Sequence, residues 1–419
     1  MNQPGSAAVA PATQNTNTPG HLPTLIAGFL HFDLSFMLWV LLGALGIYIA
    51  EGLGLTASQK GLMVAVPILS GSLLRIPLGV LGDRLGGKRV GVAMLATLFL
   101  PLALGWQFGD TLPAVLLVGL LLGTAGASFA VALPLASRWY PAHRQGLVMG
   151  IAAAGNSGTV LANLLAPRLA SLVGWHNVLA LAMIPLSLVL LAFVLMARDN
   201  PQGSAALPYR RYAGILGQKD MWIFCLFYSV TFGGYVGLSS FLPIFFRDQY
   251  HVTPLTAGYL TALAAFVGSG VRPLGGYLAD RVGGVRMLSF VLVGVCATYL
   301  LVSRLPGLGV MVPLLVIGMV CLGIGNGAVF QLVPQRFRLE IGAATGMVGA
   351  LGGLGGFLLP ILLGNVKQMS GSFASAFLVL AVVAIVSAGL LRLVIALDKG
   401  WKLSWGLAQR TAPAQMGDD

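Results

Sequence analysis

Gly79-Val80-Leu81-Gly82-Asp83-Arg84-Leu85-Gly86-Gly87-Lys88-Arg89 closes the second long apolar run of the chain, and Gly276-Tyr277-Leu278-Ala279-Asp280-Arg281-Val282-Gly283-Gly284-Val285-Arg286 closes the eighth. Every shared position is displaced by 197 residues, from Arg75 and Arg272 just upstream to Arg89 and Arg286 at the end. The same offset carries Gly155, Asn156 and Gly158 onto Gly352, Gly353 and Gly355. Two independent motifs sharing one offset indicate a duplicated unit rather than chance spacing.

The unit is built for a bilayer. Of 419 residues, 57% are hydrophobic and only 9% charged, where a soluble domain carries about a quarter charged residues. Twelve apolar stretches between residues 24 and 396 are long enough to span roughly 30 Å of hydrocarbon. The net charge of +12 forms no basic stripe of the kind that binds nucleic acid, so none is expected as a partner. With the N-terminus placed in the cytoplasm, 17 of the 24 Lys and Arg residues fall in inside segments and five outside, which puts both termini inside a plasma (inner) membrane.

The expected organisation is an all-α polytopic fold of 12 transmembrane helices in two pseudo-symmetric halves. Residues 1–22 form a disordered cytoplasmic tail, 23–197 the first six-helix bundle, 198–219 a cytoplasmic linker, 220–396 the second bundle and 397–419 a second tail. Cys225, Cys296 and Cys321 lie in apolar runs without paired spacing or neighbouring histidines, so they read as buried free thiols, and neither metal nor cofactor is expected. Phosphate-cradling, zinc-hydrolase and nucleophile-elbow motifs are missing, which argues against an enzyme.

The repeated motif resembles the signature of the major facilitator superfamily. Its glycines suit a tight turn, and Asp83 or Asp280 sits where it can cap a neighbouring helix and pair with Arg84, Arg89, Arg281 or Arg286 in one conformation of a moving carrier. Gly79 and Gly276 open the two copies. A static fastener of the cytoplasmic loop is the other reading, and either way the motif speaks for the fold and not for the cargo.

Only Arg75, Arg272 and Asp33 are charges deep in the spans. A membrane-centre arginine costs at least about 2.5 kcal/mol, so it faces a cavity or a partner. Two arginines share one acid, which leaves a positive charge for something outside the chain, and an anion is the simplest candidate. Guanidinium is a planar fork that suits a small planar oxyanion such as nitrate, nitrite or a carboxylate, and one pair balances a monoanion more easily than a phosphate ester. Asn156 adds a neutral donor inside a glycine-rich span. Asp33 is either a counter-ion to an arginine or the group that couples protons, because a nearby guanidinium or a bound anion changes its protonation. His31, on another helical face, reads as a packing residue.

Phe129-Ala130 through Arg138-Trp139-Tyr140-Pro141, then Gln145-Gly146 and Ala154-Gly155-Asn156-Ser157-Gly158, resembles the signature of the nitrate/nitrite porter (NarK-type) family. Gly349 to Gly356 with Pro360 resembles its second copy, and Phe32-Asp33-Leu34-Ser35-Phe36-Met37-Leu38-Trp39 its first span. The resemblance implies that Arg75 and Arg272 clamp the substrate, that Asn156 contacts it, and that Phe129, Tyr228 and Phe232 line the pocket. The second copy reads Gly-Gly-Leu-Gly with no asparagine, so its contacts need not mirror the first.

These readings converge on a secondary transporter of nitrate, and of nitrite, taking up nitrate by proton symport through alternating access and acting as a monomer. Nitrate/nitrite antiport is the alternative, and an anion channel a remote one, since no repeated polar rings mark a pore.

Overall fold

Thr56 starts a helix as one half of a capping box: its hydroxyl accepts from the Gln59 amide, and the Gln59 side chain accepts from the Thr56 amide. Thr253, at the same 197-residue offset, caps the start of the equivalent helix by accepting from the Thr256 amide. The far ends match too, since Gly86 at φ 95° and Gly283 at φ 100° hold a backbone conformation that L side chains rarely adopt. The helices so bounded are α2 (Ala57–Leu85) and α8 (Pro254–Val282), and threonine caps at equivalent positions place Arg75 and Arg272 at the same height in each.

The computed structural model describes residues 20–140, 154–200, 214–337, 341–398 and 401. Around α2 and α8 stand α1 (Leu22–Trp39), α3 (Gly87–Phe108), α4 (Leu112–Ser137), α5 (Gly158–Val173), α6 (Trp175–Met196), α7 (Lys219–Tyr250), α9 (Gly284–Val302), α10 (Leu308–Arg336), α11 (Ile341–Ser370) and α12 (Ala374–Leu397). Eleven of the described helices are long and apolar enough to cross a membrane. The remaining one, α5, enters through a 3-10 turn at Ala154–Ser157, and the rest of its expected span, with Gly146 and Gly150, lies outside the described residues. So do most of the two expected tails and residues 201–213 of the expected linker. No strand occurs among the described residues, and large apolar side chains such as Leu188, Leu195 and Phe290 are turned outward, as lipid-facing helices require.

Small residues set how the helices meet. Side chains at Gly155 and Gly158 would run into α1 at Asp33, and side chains at Gly352 and Gly355 would run into α7 at Tyr228 and Ser229. The duplicated glycines therefore seat α5 on α1 and α11 on α7 in the same way. Past Trp39 the chain continues as two short helices, Leu41–Ala44 and Gly46–Leu53, which lean on α7: Gly43 abuts the Ser240 backbone and Gly46 abuts Ile244. Gly61 abuts Pro360 and Gly364 of α11, and Gly258 abuts the Asn163 carbonyl of α5.

All of these cross-half contacts lie at the end away from the chain termini. Two ion pairs join the halves there, Lys60 with Asp248 at 2.9 Å and Arg247 with Glu51 at 2.9 Å. At the termini end, the pairs Asp83 with Arg138 and Asp220 with Arg336 each stay within one half. His31 is buried, bonds the Gly91 carbonyl at 3.2 Å and packs on Phe193, a packing role as its helical face suggests. Cys225 and Cys296 are buried, whereas Cys321 is only partly so.

Candidate substrate site

Arg75 projects from the middle of α2 into the space between the halves and is only 2% exposed. Its Nε donates to the Gly126 carbonyl of α4 at 3.0 Å and one terminal nitrogen to the Gly349 carbonyl of α11 at 2.6 Å. Its other terminal nitrogen, equally buried, has no partner among the described residues. The guanidinium lies over the rings of Phe232, Trp39 and Phe129 at 4.9, 5.3 and 5.6 Å from their centroids. Trp39 is held there by glycines at positions 71 and 126, where a side chain would strike the indole, and by an indole N–H bond to the Pro67 carbonyl of 2.7 Å.

Arg272 approaches the same ring from the other half, with its guanidinium 5.8 Å from the Phe232 centroid. It donates to the Tyr228 hydroxyl across 3.4 Å, a long bond. Tyr228 and Phe232 are stacked, 4.8 Å apart and within 3° of parallel, across the turn of π-helix at Ser229–Gly233 that interrupts α7. Single π turns inside α-helices recur at functional sites because they re-aim the residues around them. Both guanidinium groups thus lie near one aromatic ring, each favoured by roughly 0.5–2 kcal/mol of cation–π attraction. Among the described residues no carboxylate pairs with either arginine.

Asp33 lies elsewhere than a counter-ion would. Its carboxylate accepts from the Ser157 hydroxyl at 2.5 Å and from the Gly158 backbone. It is therefore tied to the turn that carries Asn156, not to Arg75 or Arg272. Asn156 is 1% exposed and both polar atoms of its carboxamide lack partners. A buried amide in that state is costly unless something else completes it. At the equivalent position α11 has Gly353, which abuts the Ser72 side chain and offers no donor of its own.

The repeated motif lies apart from this centre, at the termini end. Asp83 pairs with Arg138, and the Lys88 amide donates to Asp199 at 3.0 Å, so the α2–α3 turn is fastened to α4 and to the end of α6. In the second copy Arg281 covers the Tyr277 ring at 4.4 Å. Gly79 lies beside Ala130, while Gly276 faces open space.

Two residues at the centre carried no motif. Phe330 of α10 stacks on Phe129 at 5.9 Å and meets Tyr228 edge-on at 4.8 Å, closing the aromatic box between α4 and α7. Asn326, one turn earlier, is 0% exposed with an unpartnered carboxamide. An asparagine among the glycines of Gly323-Ile324-Gly325-Asn326-Gly327, in the middle of an apolar span, was the available signal.

The family model of the Major Facilitator Superfamily matches residues 27–360. The chain is 34% identical over 365 residues to the nitrite extrusion protein of Bacillus subtilis (strain 168), covering 87% of this chain and 90% of that one. It is 32% identical over 411 residues to the "Probable nitrate/nitrite antiporter NarK1" of Thermus thermophilus, covering 90% and 92%. To the "Probable nitrate transporter NarT" of Staphylococcus haemolyticus (strain JCSC1435) it is 30% identical over 365 residues, covering 85% and 93%. Among solved structures, a bacterial homolog of the human lysosomal transporter Spinster, crystallised inward-facing and unoccupied, superposes with a TM-score of 0.66 at 19% identity over 93% of this chain and 98% of that one. The occupied form gives 0.64 at 20% identity over 91% and 96%. The chain belongs to the major facilitator superfamily, and within it to the nitrate/nitrite porter family of these relatives.

Proposed function

We propose that this major facilitator protein carries nitrate, and nitrite, across the bacterial inner membrane by alternating access, with nitrate uptake driven by protons and both termini in the cytoplasm. The observation that carries the reading is the pair of arginines beside Phe232, with no acid among the described residues to neutralise them. A cavity with uncompensated positive charge in a low-dielectric interior is completed by an anion. Arg75 keeps one nitrogen free, Arg272 makes a single long bond, and Asn156 has an idle carboxamide. These are the donors that a planar monoanion would take. The stacked rings of Tyr228 and Phe232, with Phe330 edge-on to Tyr228, surround these donors with aromatic surface.

The anion needs no chemical change, so the donors bind and release it while the halves rock about the site. In the described conformation the halves are closed at the end away from the termini, and Arg75 reaches across to Gly349 of α11. Asp33 is the proton site in this reading. It bonds Ser157, the neighbour of Asn156, so its charge state bears on the position of a substrate donor. The relative named as an antiporter favours a second reading, nitrate/nitrite exchange through the same site. Purified monomeric protein in proteoliposomes decides between them. Nitrate uptake that follows an imposed pH gradient supports symport, uptake that requires internal nitrite supports exchange, and no nitrate flux under either condition refutes the site assignment.

A further inference from the structure

Like Asn156, Asn326 is a fully buried carboxamide whose oxygen and nitrogen both lack partners among the described residues. Its direction follows from its neighbours. A side chain at Gly325 would meet Thr231 of α7, and one at Gly327 would meet the Arg272 backbone of α8. At about 100° per residue, position 326 bisects the arc between those two contacts. Phe330, four residues on and on the same face, touches Tyr228 and Phe129. The carboxamide is thus aimed between α7 and α8, on the side from which Arg272 and Tyr228 enter.

The internal repeat explains the placement. Gly123 of α4 abuts Gly71 of α2, and Gly323 of α10 abuts Gly268 of α8, so α4 and α10 correspond at an offset of 200. Under that correspondence Asn326 stands where the first half has Gly126, whose carbonyl holds Arg75. The second half has a carboxamide at the position where the first has the glycine whose carbonyl holds its arginine. It also lacks an asparagine at Gly353, where the first half has Asn156. Each half therefore has one arginine and one buried asparagine, from α2 and the turn before α5 in one and from α8 and α10 in the other.

We propose that Asn326 is a substrate-contacting residue that sets nitrate against nitrite, its amide nitrogen donating to an oxygen of the anion held by Arg272. The inference rests on the anion-carrier reading above. Nitrate presents three oxygens in a plane and nitrite two, so a donor aimed at the third oxygen has no counterpart in nitrite. A site built to bond a group rejects the analogue that lacks it, because its own buried polar atom is then left unpaired.

The test is the shift in thermal unfolding of the detergent-purified full chain on titration with sodium nitrate and with sodium nitrite, which reads an apparent Kd for each. Wild-type protein should bind both and prefer nitrate. Asn326→Ala, and Asn326→Leu at nearly constant volume, should weaken nitrate about tenfold, the worth of one hydrogen bond to a charged group. Nitrite should weaken less than threefold, so the preference collapses. Asn326→Ser, which keeps a hydroxyl in less volume, is read instead if the apolar variants do not insert, and should retain part of the preference. An unchanged ratio of the two constants, whether both fall together or neither moves, makes Asn326 a packing residue. Wild-type protein that binds neither anion overturns the carrier reading itself.

Discussion

At the scale of single residues, the two arginines are not equivalent although the repeat aligns them. Arg75 is anchored by two carbonyls and three rings and keeps one nitrogen free, whereas Arg272 is partly exposed with one long bond to Tyr228. Lysine retains the charge of either but not the fork. Arg75→Lys and Arg272→Lys should each reduce nitrate transport by roughly ten- to a hundredfold, the loss of one or two charged hydrogen bonds. Arg75→Lys should in addition lower thermal stability, because Gly126 and Gly349 lose their shared donor. Transport near the wild-type level by either variant in proteoliposomes would reduce that arginine to a source of field. Asn156→Ala should weaken apparent nitrate affinity by about 1.5–3 kcal/mol with insertion intact, and unchanged affinity would return Asn156 to packing.

Helices show why the glycines recur and where the chain withheld its information. A side chain at Gly158 would strike the Asp33 carbonyl of α1, while one at Gly276 would meet nothing. Gly158→Ala should destabilise the protein by about 1–3 kcal/mol through overpacking, and Gly276→Ala should leave the unfolding temperature unchanged or slightly higher. Equal effects from the two would mean that close approach is not what the signature glycine provides. The repeated turns after α2 and α8 were legible because they are local: paired glycines and an offset suffice. Phe330 was not, since an aromatic in a 29-residue apolar helix has no mark that separates cavity from lipid. Its role exists only once α4 and α7 are brought beside α10. Nor did the spacing of Tyr228 and Phe232 disclose the π turn between them, which depends on α11 pressing its glycines against α7.

On the scale of the whole molecule, twelve spans and a six-plus-six repeat were readable from hydropathy and one offset, but which end is closed was not. Closure rests on contacts between residues far apart in sequence, such as Lys60 and Asp248 at a separation of 188. These pairs line a cavity of about 490 Å³ at the end away from the termini. The half-exposed Arg247–Glu51 pair contributes about 1 kcal/mol at most, while the Lys60–Asp248 pair is more buried. Glu51→Gln with Asp248→Asn should therefore raise the labelling rate of a cysteine placed at Ala50 several-fold, and an unchanged rate would leave closure to the glycine contacts alone. The proposed proton coupling would belong to the same cycle, since Asp33 sits on α1 and bonds the turn before α5 that carries Asn156. An ionised Asp33 accepts the Ser157 hydroxyl; a protonated one adds a donor at the same place and alters how that turn is held. Asparagine imitates the neutral acid permanently, so Asp33→Asn should still bind nitrate and exchange it across the membrane. It should fail to accumulate nitrate when an inward proton gradient is imposed, because no proton can be lost on the alkaline side to reset the turn. If accumulation driven by the pH gradient persists in Asp33→Asn at the wild-type level, Asp33 only fastens α1 to α5, and exchange of nitrate for nitrite becomes the better account of how the carrier is driven.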